Sequence, residues 1–259
     1  MKKILYASGD SFVAGMECLG DGDRNEANKE LAFPKHIAVN LSCEQYINNA
    51  YPGATNEYIF RRAILDLNEL ERNGTAPADV FVIIGFTALY RIEVDGDRLL
   101  EGYYDLDSKP ILPNNKSFKP TPPVEFFDHN TVFINPGQVL VAKTRSGKVI
   151  NTAEDVYPFC IKYLWTNPVQ RPSQEARIYA LHTFLKLKGY KHVILSTCSD
   201  EVTFHNDVNF FSPGIDIQSF YEYGLIFHPM ELRKQNHFGP AAHAGYAELL
   251  IKHIRDNVL

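Results

Sequence analysis

The chain has 259 residues, 45% of them apolar and 22% charged, which is enough to bury a substantial core without a disulfide staple or an obligate partner. Lys and Arg total 26 against 31 Asp and Glu, a net charge of −5, and no basic block stands out, so nucleic acid is excluded as the default partner. An acidic residue at position 10 interrupts any secretion signal, and the longest uncharged apolar stretch, residues 80–90, falls short of the roughly 20 residues that span a bilayer. Cys18, Cys43, Cys160 and Cys198 are dispersed, without a C-x-x-C pair or a Cys-His cluster. They read as reduced thiols of a cytoplasmic protein, with no metal and no cofactor expected.

In chain order, residues 4–7 form an apolar run that breaks into Ser8-Gly9-Asp10-Ser11, as a buried parallel strand enters a loop at its carboxyl end. Leu31, Ile37, Ala38 and Leu41 suit a helix within 25–41, broken or restarted near Pro34, and a weak strand follows at 45–48. Pro52-Gly53 makes a turn, and Thr55 or Asn56 caps a helix whose apolar face is Ile59, Phe60, Ala63, Ile64, Leu67 and Leu70, closed by Asn73-Gly74. Residues 80–84 are a continuous β-branched and aromatic run, a central parallel strand ending at Gly85.

Between residues 95 and 166 the alternation disappears and five prolines, Pro110, Pro113, Pro120, Pro122 and Pro123, break continuity, which marks an insertion or lid. Helical spacing resumes over 173–188, a buried strand follows at 192–197, and a second irregular insertion covers 199–235. A helix with Ala244, Ala247, Leu250, Ile251 and Ile254 on one face closes the chain. Alternating strands and helices predict one α/β domain over 1–259 with a central parallel sheet and two irregular insertions.

A parallel sheet gathers its chemistry outside the carboxyl ends of its strands. Three loops qualify, holding Gly9-Asp10-Ser11, Pro52-Gly53-Ala54-Thr55-Asn56 and Gly85-Phe86-Thr87, and Asn236-His237-Phe238-Gly239-Pro240 precedes the last helix. Together they offer a hydroxyl nucleophile, backbone donors for an oxyanion and an imidazole base. In these blocks the chain resembles the SGNH, or GDSL-type, hydrolases, mostly esterases and lipases of flavodoxin-like three-layer α/β/α fold. The resemblance implies Ser11 as nucleophile, Gly53 as an oxyanion-hole amide and His237 as the catalytic histidine.

Two positions depart from that pattern. The third block reads Gly85-Phe86-Thr87-Ala88 where the family has Gly-x-Asn-Asp, so Thr87 keeps a donor but not the amide, and Asn56 is its rival for the oxyanion hole. The family's acid, three residues before the histidine, is replaced by Lys234, followed by Gln235. A backbone carbonyl, Asp200, Asp207, Asp216 or Glu231 could orient His237 instead. Arg91 is a candidate for pairing with an anionic substrate group, and Asp10 is a second candidate substrate contact. Phe204, Phe210, Phe211, Phe220, Tyr221 and Tyr223 could wall a pocket.

The expected activity is serine-dependent cleavage of an ester bond, with a small-molecule or carbohydrate ester as substrate and O-deacetylation or acyl transfer as variants. No nucleic acid or membrane partner is expected, and the oligomeric state stays open. The alternative is an SGNH-like fold that has lost catalysis and serves as a binding or structural protein. A nucleotide binder is weaker, because no G-x-G-x-x-G or Walker loop follows a strand. A Gly-Asp-Ser start combined with Thr in the third block resembles family members of tailed bacteriophages, which would place the protein in the host cytoplasm or the virion.

Overall fold

The computed structural model describes residues 3–20, 26–89, 91–95, 103–104, 131–134, 141–143, 149–151, 167–198, 207–214, 216–233 and 236–259. The chain divides into two compact units, Met1–Leu89 with Ser173–Leu259, and Tyr90–Pro172.

In the first unit, β1 (Ile4–Ser8), β2 (Gln45–Asn48) and β3 (Val80–Phe86) are the three strands the apolar runs predict, β3 extending two residues past Ile84. The second unit's described residues contribute β4 (Ile92–Asp95), β5 (Tyr103–Tyr104), β6 (Thr131–Ile134), β7 (Val141–Lys143) and β8 (Val149–Asn151). These pair antiparallel, β4 with β6, and β5 with β7 and β8. The stretch expected to be irregular thus holds short sheet segments, too short to register as alternation. In the first unit again, β9 (Lys191–Ser196) and the two-residue β10 (Phe210–Phe211) complete a five-stranded, all-parallel sheet in the order β2-β1-β3-β9-β10. That is the flavodoxin-like order, with its switch point between β1 and β3.

The inner strands β1, β3 and β9 are buried on both faces because both faces are covered, whereas the edge strand β2 is only partly buried. Leu5, Ala7, Phe81, Ile83, Val193 and Leu195 point into one core with helices α1 (Phe33–Asn40) and α5 (Pro240–His253). Ile4, Tyr6, Val80, Val82, Ile84 and Ile194 point into the other with α2 (Asn56–Arg72) and α3 (Asn167–Lys188). The period of two along each strand sorts its residues between the two helical layers. The result is a three-layer α/β/α sandwich.

Thr55, not Asn56, is the N-cap of α2, its hydroxyl accepting from Tyr58 N at 3.2 Å. The break near Pro34 is real: a 3₁₀ turn at Glu26–Glu30 precedes α1, with Pro34 in its first turn. α3 begins six residues earlier than residue 173 and carries Pro172 within it. The second expected insertion is more ordered than its composition suggests, containing β10, the Pro229–Glu231 3₁₀ turn and α4 (Phe220–Phe227), which Ser219 and Glu222 close with a reciprocal capping box. No helix among the described residues is long and apolar enough to cross a membrane. Cys18, Cys43 and Cys198 are free thiols, and Cys160 lies outside the described residues.

Candidate active site at the sheet switch point

The loops after β1 and β3 meet over Val13. A Cβ on Gly9 would come within 2.3 Å of Val13 Cγ2, and one on Gly85 within 2.4 Å of the same atom, so each position admits only glycine while Val13 stays where it is. Val13 is fully buried. The Gly-Asp-Ser loop and the Gly-Phe-Thr loop are therefore fastened by one side chain lodged between their two glycines.

Asp10 adds a polar fastening. Its Oδ2 accepts from Thr87 Oγ1 at 2.7 Å, its Oδ1 accepts from Phe12 N at 3.0 Å, and the residue is fully buried. Cys198 Sγ approaches Oδ2 at 3.8 Å. Both oxygens of the carboxylate are thus engaged by protein donors, so Asp10, a candidate substrate contact on sequence grounds, joins β1 to β3. Asn56 clasps the neighbouring peptide, its Oδ1 accepting from Thr87 N at 2.8 Å and its Nδ2 donating to Thr87 O at 3.0 Å. The single proton of the Thr87 hydroxyl is directed to Asp10, whereas Asn56 Nδ2 has a second proton beyond the one it gives to Thr87 O.

The loop after β2 continues the β1 ladder past the end of the strands, with Asn49 N donating to Ala7 O and Tyr51 N to Gly9 O, both at 2.9 Å. Ala54 N then donates to Tyr51 O at 3.0 Å across a turn in which Gly53 has φ +82°, the type II geometry that favours glycine at this place. Neither the Ser11 nor the Gly53 amide is hydrogen-bonded within the described residues. Ser11 is buried just beyond the carboxyl end of β1, and its hydroxyl makes no hydrogen bond to a described residue.

His237 comes to this edge from before α5. Its ring lies 5.0 Å, centroid to centroid, from that of Phe12, the residue next to Ser11. Its Nδ1 faces Glu17 Oε2 at 3.2 Å, and both residues are buried. Of the four carboxylates that the sequence offers for this place, none of the three described is paired with the imidazole. Asp207 is engaged by Lys186 and His182, each at 3.2 Å; Asp216 is exposed; Glu231 faces Arg233 at 4.0 Å; Asp200 lies outside the described residues, as do Lys234 and Gln235.

Two further expectations meet different outcomes. Arg91 is half-buried in the second unit and is described there by itself. The aromatic cluster is core rather than pocket wall: Phe210, Phe211, Phe220 and Tyr223 are buried in the two cores, Tyr221 packs partly buried against one of them, and Phe204 is outside the described residues. The reason is that Phe210 and Phe211 lie in β10 and Phe220, Tyr221 and Tyr223 in α4, elements that turn these rings inward.

No protein-family model matches the chain, and no curated protein matches it. Among solved structures it is similar to a G-D-S-L family lipolytic protein from Desulfitobacterium hafniense DCB-2, at 11% identity and TM-score 0.42, over 97% of this chain and 99% of that one. It is also similar, at 11% identity and TM-score 0.42, to a carbohydrate esterase whose active site has divergent catalytic and non-catalytic binding functions, over 99% of this chain and 70% of that one.

Proposed function

We propose that this chain is a serine hydrolase that cleaves ester bonds through an acyl-enzyme on Ser11. The observation that carries the reading is His237 packed against Phe12, the residue next to Ser11, with its Nδ1 against a carboxylate, at the sheet edge that also carries the uncommitted amides of Ser11 and Gly53. An ionised carboxylate only accepts, so Nδ1 carries the proton and Nε2 is left as a base. Hydrogen bonds between nucleophile and base are often loose before substrate binds, which accommodates a Ser11 hydroxyl without one.

In this scheme Ser11 Oγ attacks the ester carbonyl carbon while its proton passes to His237 Nε2. The oxyanion is met by the Ser11 and Gly53 amides and the second proton of Asn56 Nδ2; one such donor is worth about 10²- to 10³-fold in rate. The C–O bond to the alcohol then breaks, and the alcohol leaves with the proton from His237. Water, activated by the same imidazole, releases the acid. Thr87 and Asp10 hold the two loops together behind the nucleophile. The substrate class we favour is a small-molecule or carbohydrate ester, and a second alcohol in place of water would make the same residues an acyltransferase.

Turnover of p-nitrophenyl acetate by wild type, Ser11→Ala and His237→Ala proteins tests the reading. We expect hydrolysis by the wild type and a fall of at least about 10³-fold in each variant, the order seen when a nucleophile or its base is removed. A folded wild type without turnover would favour the alternative, a binding protein built on the same loops; the Thr87 hydroxyl turned to Asp10 rather than outward is the observation on its side.

A further inference from the structure

We infer that Glu17, six residues after the nucleophile on the same loop, is the positioning carboxylate of His237; the inference rests on the Ser11–His237 reading above. The acid is supplied from the strand-1 loop rather than from the histidine's own segment, where Lys234 stands.

The juxtaposition is built by several independent contacts. Glu17 and Cys18 face His237 and Phe238 residue for residue: Glu17 Oε2 lies 3.2 Å from His237 Nδ1, and Cys18 Sγ lies 3.8 Å from Phe238 O. The loop is anchored on both sides of Glu17. Leu19 N donates to the side chain of buried Asn28 at 2.9 Å, and Gly15, at φ +69°, packs so closely that a Cβ there would fall 2.6 Å from Asn28 O. Glu17 itself has φ +65° and Asn236, beside the imidazole, φ +63°. These are two of the three non-glycine residues with positive φ among the described residues. Backbone held in this region at Glu17 and at the residue preceding His237 fits a locally over-determined site.

A glutamate is almost never buried unless paired, and Glu17 is the one charged residue in the run Phe12-Val13-Ala14-Gly15-Met16-Glu17-Cys18-Leu19. Its position gives the carboxylate two effects on the reaction. It fixes the imidazole with Nε2 unprotonated, and it stabilises the imidazolium that forms when Ser11 gives up its proton. The other titratable groups nearby are Cys18, Glu231 and Arg233, which interact around the Cys18 thiol, and His243, which feels His237 and His36. Glu17 Oε2, at 3.2 Å, is the described carboxylate oxygen that faces Nδ1.

The test compares wild type, Glu17→Gln and Glu17→Asp proteins in three readouts: kcat and KM for p-nitrophenyl acetate across pH 5–9, thermal melting, and long-range ¹H–¹⁵N NMR of the His237 ring. We expect Glu17→Gln to lower kcat by roughly 10²- to 10⁴-fold with KM little changed, as loss of a triad acid does. Removing the negative charge disfavours the imidazolium, so the acid limb of kcat/KM moves to lower pH, and Glu17→Asp restores at least part of the rate and of the limb's position. The NMR spectrum of wild type should report protonation at Nδ1, lost in Glu17→Gln; this readout does not depend on activity. An active wild type whose Glu17→Gln variant keeps its rate and pH profile would overturn the assignment while leaving Ser11 and His237 standing. Equal losses in Glu17→Gln and Glu17→Asp with parallel drops in melting temperature and no shift of the acid limb would make Glu17 structural only. If Glu17→Gln does not fold, Glu17→Asp and the wild-type spectrum decide alone: an Nε2–H tautomer in the wild type overturns the inference. A folded wild type with no turnover, but an Nδ1–H tautomer, would refute the hydrolase reading and not the pairing.

Discussion

Gly85→Ala is a sharp probe of how the two site loops are held together. The added Cβ would stand 2.4 Å from Val13 Cγ2 and 2.8 Å from Thr197 Cγ2, well inside the ~3.5–4.0 Å at which carbon atoms rest. Gly85 is not among the glycines with positive φ, so the penalty is steric rather than conformational. Val13 and Thr197 are both fully buried. Overpacking of this kind costs about 1–3 kcal/mol, partly offset by the ~0.5–1 kcal/mol that an alanine gains over glycine in the backbone. The net loss of ~1–2 kcal/mol should lower Tm by roughly 2–8 °C in a domain of this size. Val13→Ala removes the clashing methyl, so Gly85→Ala in a Val13→Ala background should destabilise by clearly less than it does alone. Urea titrations of the four proteins in this cycle give the coupling directly, and the expected value is at least ~1 kcal/mol. Additive effects, within ~0.5 kcal/mol, would refute the claim that Val13 makes position 85 a glycine.

Two other outcomes follow from the buried polar groups. Thr87→Val removes the 2.7 Å donor to Asp10 while keeping the shape of the side chain; a hydrogen bond to a charged group is worth about 1.5–3 kcal/mol, so thermal melts should show a loss of that order, and an unchanged melt would mean that Asp10 does not depend on Thr87. Acid should weaken the fold. Desolvation, the leading cause, pushes His192 down to about 4 and His243 down to about 3. With folded values below the ordinary ~6.5, the unfolded chain binds more protons than the folded one, so stability is greatest above ~6.5 and is lost as pH falls towards these folded values. Urea midpoints should drop steadily from pH 7 to pH 4.5, and replacing His192 with a non-titrating residue should flatten that slope; a slope unchanged by the substitution would refute it as a source.

The layered fold was legible because its inner strands are buried on both faces and its helices carry one apolar face, patterns written in local periodicity. Val80–Phe86 and Asn56–Arg72 are the clearest cases. Short elements left no such trace: β10 has two residues and α4 eight, so the 199–235 stretch read as irregular. The site divides along the same line. Ser11, Gly53 and His237 were readable as blocks placed after strands and before the last helix. Glu17 was not, because it meets His237 from 220 positions away in the chain, through a turn whose path depends on Gly15 and Asn28. The one local signal is a lone carboxylate inside an apolar run. The sequence shows that Thr87 carries a donor but not where it points; the structure turns its hydroxyl to Asp10, a contact across 77 positions that no spacing reveals.

An activated nucleophile at Ser11 is what most directly separates a hydrolase from a binding protein. Reaction with a fluorophosphonate, read by intact mass and peptide mapping, measures this without knowledge of the natural substrate. A hydrolase should give one adduct per chain, located on Ser11, absent in Ser11→Ala and at least ~10²-fold slower to form in His237→Ala. A folded wild-type protein that takes up no label, or takes it up equally well without His237, would contradict the hydrolase reading.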